Sequence, residues 1–283
     1  VSSEPVLELK EVRGPSAIGG GSRRFFDLLW LISATEFKKT YFGTVLGYAW
    51  SLMRPLALYG VLLVVFTKIL RFGSEIPHYN VLLLLNIITF AFFQEATSSA
   101  VTSVLAQEGI VRKTQFPRLV IPLATVLVAL FTLAQNLVAV VIFCIVLGVE
   151  PTWTWLLYPL LVVPLFVLTA TSSMLLAALN VRLRDVAIIW TVVATALFYV
   201  TPVLYPITTP GLPRALRDLL LVNPITPILT QARKWVVEPD APGAVTAAGG
   251  WVHMLPSIAV FVAIAILGIW VFRREAPRIA ELL

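Results

Sequence analysis

Few residues of this chain could do chemistry, and their spacing excludes most kinds of it. Cys144 is the one cysteine and lies inside an apolar run, so neither a disulfide framework nor a cysteine-based metal cage can form. His78 and His253 each lack the partner four residues away that a helical zinc site would want; both read as interfacial residues, and no metal site is expected. No Gly-x4-Gly-Lys-[Ser/Thr] phosphate loop occurs, which excludes ATP hydrolysis by that route. The polar groups inside apolar stretches are Arg54, Asn86, Gln94, Glu95, Gln135 and Asn136. An ion-coupled transporter usually keeps a carboxylate or broken helices at the membrane midplane. Glu95 is the single carboxylate candidate, and it adjoins Gln94 and the hydroxyl cluster Thr97-Ser98-Ser99. An enzyme acting on diphospholipids would need several Asp, His or Arg residues converging at an interface, and no such set stands out. No catalytic residue is assigned.

The elements that must carry these residues are long and apolar. Hydrophobic residues make up 59% of the 283 residues, charged residues only 13%, and the mean hydropathy is +0.91. Soluble domains average about 45–50% apolar and about 25% charged, so a water-soluble fold is excluded. The runs Val61–Leu70, Val81–Phe93, Leu119–Gly148, Trp153–Leu179, Val186–Leu204 and Leu255–Phe272 hold no charged residue except Lys68. A hydrocarbon core needs about 20 apolar residues per helical crossing, and only backbones that satisfy their own hydrogen bonds can span it. The expected fold is an all-α polytopic membrane protein with six transmembrane helices. Residues 1–22 read as a polar, flexible cytoplasmic tail rather than a signal peptide, ending in Gly19-Gly20-Gly21. Residues 23–42 read as an interface helix and 43–283 as the transmembrane domain.

The net charge of +6 is explained by topology. Six helices place 14 basic residues on one side: Lys10, Arg13, Arg23, Arg24, Lys38, Lys39, Arg112, Lys113, Arg118, Arg182, Arg184, Arg273, Arg274 and Arg278. The other side holds 6, namely Lys68, Arg71, Arg214, Arg217, Arg233 and Lys234. The positive-inside rule then puts both termini in the cytoplasm. Nucleic-acid binding would want a basic face with exposed aromatics on a soluble module, and none is present.

Four stretches do not cross. Arg23–Tyr41 mixes Phe25, Phe26, Leu29, Trp30, Ile32 and Phe37 with charges at both ends, which suits a helix lying in the cytoplasmic membrane interface. Ser103–Arg118, carrying Glu108, Arg112 and Lys113 ahead of Pro117, reads as a short charged helix (about residues 104–117) between two spans, able to fit a soluble partner. Asn180–Asp185 is a tight turn with Arg182, Arg184 and Asp185. On the outer side, at about 201–250, Pro202, Pro206, Pro210 and Pro213 break the end of the fifth helix. Two apolar pieces follow, Arg214–Val222 and Ile225–Val237, parted by Asn223-Pro224 and too short to cross. A pair of short re-entrant helices at a gate fits this pattern, because irregular backbone at membrane depth must be shielded by protein or line a water-filled path. A channel-like shell without an energy source of its own argues for a subunit driven by another protein.

Several stretches together resemble the permease subunits of ABC-2-type transporters, especially those exporting polysaccharides. They are Leu28–Trp30, Lys38–Phe42, the segment GTVLGYAWSLMRP at Gly43–Pro55, GIVRKTQFP at Gly109–Pro117, Leu119–Pro122, TPVLYP at Thr201–Pro206, Asn223-Pro224 and Arg233. The resemblance covers Phe25 to the end of the chain. It implies a homodimeric permease in the plasma (inner) membrane with two ABC ATPase subunits docked below, ATP and Mg being bound by those partners and no cofactor by this chain. It implies that Glu108, Arg112 and Lys113 in a coupling helix, with Phe37 and Lys38 in the interface helix, contact the ATPase. It implies further that Trp50, Arg54, Tyr59, Phe93 and Glu95 line the substrate channel and that Tyr205, Asn223 and Pro224 belong to the outer gate. Arg54 departs from the family pattern, where a neutral or acidic residue is commoner; it could pair with Glu95 or attract a pyrophosphate-linked substrate.

A lumen for a sugar polymer should offer flat apolar faces and scattered hydrogen-bonding groups. Trp50, Tyr59, Phe66, Phe90, Phe92, Phe93, Trp190, Phe198, Tyr199 and Tyr205 could supply the faces, although each ring also has an ordinary place in an interfacial belt or a core. Arg-over-Lys usage and Ala/Val richness fit a GC-rich bacterium. The resemblance then suggests an actinobacterial cell-wall exporter of lipid-linked galactan, with O-antigen or teichoic-acid polymer as the next cargoes. Export of drugs or lipids through the same fold, and a membrane-embedded glycolipid-processing enzyme, are the competing readings.

Overall fold

A computed structural model describes residues 21–41, 47, 49–71, 76–109, 117–209 and 211–276. All regular elements among them are helical: α1 (Gly21–Tyr41), α2 (Ala49–Val64), α3 (Tyr79–Ala106), α4 (Val120–Val146), α5 (Tyr158–Arg182), α6 (Val186–Val200), α7 (Arg214–Val222), α8 (Ile225–Ala232), α9 (Ala244–Ala248) and α10 (Trp251–Glu275). Helix α2 runs on into a wider turn over Val65–Ile69, where Leu70 N reaches back to Val65 O at 2.8 Å.

Five helices are long and apolar enough to cross a membrane: α2 with its final turn, α3, α4, α5 with the turn before it, and α10. This is an all-α polytopic membrane protein. The stretch read from the sequence as the fifth of six crossings, Val186–Leu204, forms a helix only over the 15 residues of α6. The cause is Pro202, whose ring disfavours helical backbone at the residue before it. Thr201 is accordingly extended, at φ −69° and ψ 139°.

Helix α3 is the central post. Within its apolar stretch 78% of the residues are buried inside the protein, against 11% for α2 and 17% for α10. It packs on α2, α4, α5 and α6. Hence residues 81–93 of α3 are almost entirely apolar, as the part of a helix surrounded by others must be. The outward residues of α2, α6 and α10, among them Val61, Ile188, Val192, Val262 and Ile266, are large, apolar and exposed. Such a surface is stable in hydrocarbon and unstable in water.

Helix α10 is held to α5 by one close approach. A Cβ on Gly268 would stand 2.2 Å from the backbone oxygen of Thr171, so only glycine allows the two backbones this near. Ser257, Gly268 and Phe272 are the buried residues of α10.

Helix α1 lies on α4. Trp30 and Phe37, two turns apart, both meet Phe131 edge to face, with centroid separations of 5.4 and 5.6 Å. Ser33 between them is fully buried and donates its hydroxyl to Leu29 O at 2.7 Å. The opposite face keeps Lys38 and Lys39 in solvent.

The segment after Gly211 folds as two short helices, α7 and α8, parted where Asn223-Pro224 falls. Asn223 takes extended backbone ahead of the proline, and its Oδ1 accepts the Ile225 amide at 2.9 Å, opening α8. Gly249 and Gly250, at φ 89° and 125°, make the turn that ends α9 and starts α10.

Candidate functional site

One sizeable cleft, of about 570 Å³, opens beside the central post. Its walls follow from helical periodicity. Trp50, Ser51, Arg54, Pro55 and Leu58 form one face of α2, while Ile87, Ala91, Gln94, Glu95, Ser98 and Ser99 form one face of α3. Thr40 of α1, Asn136 of α4 and Phe198 of α6 complete the lining.

Three of the residues expected to line a channel meet here: Trp50, Arg54 and Glu95. Arg54 and Glu95 interact electrostatically across the cleft. The other two, Tyr59 and Phe93, do not line it. Tyr59 is buried and stands edge-on to Phe143 with centroids 6.0 Å apart. Phe93 is buried between Phe90 and Trp190, at 6.1 and 6.3 Å. Trp190 Nε1 donates to Thr97 Oγ1 at 3.2 Å, which fixes α6 against α3 next to Glu95. Phe198 continues this aromatic seam by meeting Phe90 at 5.5 Å, and it is the ring of the seam that reaches the cleft.

Other lining residues escaped the sequence reading. Gln94 and Asn136 stood out only as polar residues in apolar runs, Phe198 only as one of ten aromatics that could face a lumen, and Ser51, Leu58 and Ala91 carried no assigned role. Four-residue spacing from Arg54 and Glu95 would have found Trp50, Leu58, Ala91 and Ser99. Nothing local points to Asn136, which arrives from another helix.

Asn136 is only 4% exposed, and its Oδ1 has no hydrogen-bond partner among the described residues. The cleft offers donors from Arg54, Gln94 and the serines, an acceptor in Glu95, and flat faces from Trp50 and Phe198. Among the described residues no group of three or more His, Cys, Asp or Glu stands together as a metal site would require. The arrangement suits binding and passage of a polar ligand.

Beyond the end of α6, Tyr205, Asn223 and Pro224 belong to one braced region. Asn223 Nδ2 donates to Thr201 Oγ1 at 2.6 Å, and Thr226 Oγ1 donates to Leu220 O at 2.7 Å. Arg233 binds Glu238 Oε2 at 2.6 Å and Thr208 Oγ1 at 3.1 Å. Tyr205 packs against the main core, and burial pushes its phenol above the usual range.

Of the residues expected at an ATPase contact, Phe37 turns its ring to Phe131, Lys38 is exposed, and Glu108 is half-buried just beyond the end of α3. Arg112 and Lys113 lie outside the described residues, as does half of the expected coupling helix, residues 110–116. Arg118, beyond it, donates from its guanidinium to the carbonyl of Ala276 and so ties the start of α4 to the end of α10.

Residues 27–236 match the model of the ABC-2 type transporter family. The chain is 27% identical over 261 residues to a Klebsiella pneumoniae protein named "O-antigen export system permease protein RfbA", covering 91% of this chain and 95% of that one. A Myxococcus xanthus protein of the same name is 26% identical over 221 residues, covering 78% and 84%.

Proposed function

This chain belongs to the ABC-2 type transporter family, and from that premise we propose that it is the permease subunit of an ATP-driven exporter of a lipid-linked polysaccharide. The observation that carries the reading is near end-to-end similarity to relatives named as O-antigen export permeases. The cleft supports it, since alternating hydrogen-bonding groups and flat rings match a sugar polymer better than a bare ion.

In this reading two copies of the chain form the conduit in the plasma membrane, with both termini cytoplasmic, and two ATPase subunits bind ATP and Mg below. Helix α6 supplies a sixth crossing, which its apolar and exposed surface would suit. Phe37, Lys38, Glu108, Arg112 and Lys113 transmit the ATPase motion, and the segment around Tyr205, Asn223 and Pro224 gates the outer end. The cargo is a cell-surface glycan of the galactan, O-antigen or teichoic-acid kind.

The test is purification of the tagged chain from its native membrane, followed by mass spectrometry of what accompanies it. A stoichiometric ATPase with a phosphate loop is expected, together with ATP hydrolysis by the complex and none by the permease alone. Recovery without any ATPase would overturn the ATP-driven reading.

A further inference from the structure

We infer that Arg118, Arg182, Arg273 and Arg274, gathered where the start of α4 meets the ends of α5 and α10, form a binding site for the headgroup of an anionic phospholipid, with preference for a lipid carrying two phosphates. The inference rests on the membrane spans and not on the exporter reading. In the topology proposed above, the site faces the cytoplasmic leaflet.

Helix α10 sets the depth. Trp251 and Trp270 are both more than half exposed and stand 19 residues apart. At about 1.5 Å per residue they are about 28 Å apart along the axis, close to the roughly 30 Å thickness of a hydrocarbon core. Tryptophans at that spacing mark the two boundaries between lipid tails and headgroups. Arg273 and Arg274 follow Trp270 by about one turn, which puts them at the level of the phosphates.

Periodicity sets the facing. Val262, Ile266, Ile269 and Trp270 form an exposed stripe of α10. Arg273 and Arg274, both exposed, continue that stripe at spacings of three and four residues. Both guanidinium groups therefore belong to the face that meets lipid, and that of Arg274 lies 5.3 Å from the centroid of the Trp270 ring.

The other two arginines arrive from separate helices. Leu119 of α4, Met174 and Ala178 of α5, and Phe272 of α10 pack into one apolar cluster. Arg118 precedes Leu119 and donates to the carbonyl of Ala276, which fixes it about one turn from Arg273. Arg182 is exposed and lies one turn beyond Ala178 on the same face of α5. Glu275 beside them and Asp185 in the following turn are the acids nearest along the chain, so the four arginines keep a positive excess. A guanidinium offers five N–H donors in a fork that matches phosphate oxygens, and the Ala276 carbonyl engages one donor of Arg118. Scattered charges satisfy the positive-inside rule, whereas a headgroup site needs basic residues from several helices at one point of the lipid boundary. An acidic protein surface is the competing occupant of a basic patch, and the lipid-facing position of Arg273 and Arg274 decides for the bilayer.

The experiment is native mass spectrometry of the full chain in detergent, titrated with cardiolipin or with phosphatidylcholine. The wild type should retain cardiolipin at concentrations where phosphatidylcholine is lost. Arg273→Gln with Arg274→Gln should weaken cardiolipin binding by about 30-fold, and Arg182→Gln alone by about fivefold, the loss expected per arginine near a charged headgroup. Arg182→Gln stands on another helix and repeats the test independently of α10. The paired Arg→Lys change at 273 and 274 keeps the charge and should bind more tightly than the Gln pair. Arg24→Gln with Lys39→Gln removes the same charge from α1 and should retain cardiolipin as the wild type does. Because Arg273 and Arg274 are exposed, their Gln pair should keep the wild-type thermal midpoint without lipid. Added cardiolipin should raise the midpoint of the wild type and not that of the pair.

Equal retention of cardiolipin and phosphatidylcholine overturns the inference, as does wild-type binding by the Gln variants of α5 and α10. An equal loss in the α1 variant would show diffuse attraction in place of a site. Normal cardiolipin retention by the Arg273 and Arg274 Gln pair, with loss of an ATPase that accompanies the wild type, would assign the face to that partner. Failure here leaves the exporter reading standing, since these lipid titrations involve no cargo.

Discussion

Asn86 Nδ2 donates to the carbonyl of Val203 at 3.0 Å, joining the central helix to the irregular backbone that follows α6, 117 residues further on. The next carbonyl, Leu204 O, accepts from the Tyr79 hydroxyl at 2.8 Å. Two side chains of α3 thus do for this irregular segment what a helix would do for itself. Backbone without internal hydrogen bonds is tolerated among apolar helices only when the protein satisfies it. Removing either donor should therefore cost about 1–3 kcal/mol. Tyr79→Phe and Asn86→Leu should each lower the thermal midpoint of the detergent-solubilised protein; unchanged midpoints in both would show that the segment is held by other contacts.

Asn223 ties the end of α6 to the start of α8, since its amide donates to Thr201 while its side-chain oxygen accepts the Ile225 amide. Replacing Asn223-Pro224 by Ala-Ala removes both bonds and the backbone restriction together. In a reconstituted exporter the expected outcome is a leak of small solutes or a block of export, read as dye efflux and glycan transport. Unaltered efflux and transport would count against a gate at this position.

Gly268 should tolerate no side chain. A methyl group there meets the Thr171 carbonyl at 2.2 Å, so α5 and α10 must separate. Gly268→Ala should destabilise by about 1–3 kcal/mol, the usual penalty of overpacking a well-fitted contact, and Gly268→Val by more. Yield of monodisperse protein after a temperature ramp measures this; wild-type thermostability of Gly268→Val would disprove the tight crossing.

The aromatics divide by their place in the fold. Tyr59→Ala and Phe93→Ala each empty a packed position and should cost about 3–5 kcal/mol, seen as loss of folded protein. Trp50→Ala removes a half-exposed ring on the cleft wall and should leave folding intact while lowering glycan export. The reverse pattern, with stable Phe93→Ala and unfolded Trp50→Ala, would reject the packing described.

Charge reversal at Arg112 and Lys113 should leave membrane insertion intact and let ATP hydrolysis continue while export falls. Parallel assays of hydrolysis and transport on the assembled complex check this, and normal export would remove the proposed coupling role.

Much of the architecture was legible in the residues because membranes impose few options. Apolar length marks α3, α4, α5 and α10 directly, and the Asn223-Pro224 break between two short helices follows from proline sterics and asparagine turn chemistry. Pro202 is the instructive exception. It was visible as a helix breaker, yet the apolar residues around it made the run look about one turn longer than the helix that forms, because hydropathy measures burial and not backbone conformation.

The candidate site was legible only in halves. Arg54 and Glu95 announce themselves as charges in apolar surroundings, and each fixes a face of its own helix. Tyr59 and Phe93 carry the same sequence signal as Trp50, since an aromatic ring suits a lumen, a lipid interface or a core equally well. By itself the sequence determined an all-helical membrane protein, where its helices break, and which charges stand inside it, because desolvation and backbone sterics act locally. Tertiary structure alone decided that Asn136 joins Glu95, that Asn86 holds Val203, and that Trp50 faces a cleft while Tyr59 and Phe93 are packed away. Those outcomes depend on which faces of separate helices meet, and periodicity within one helix carries no information about its neighbour.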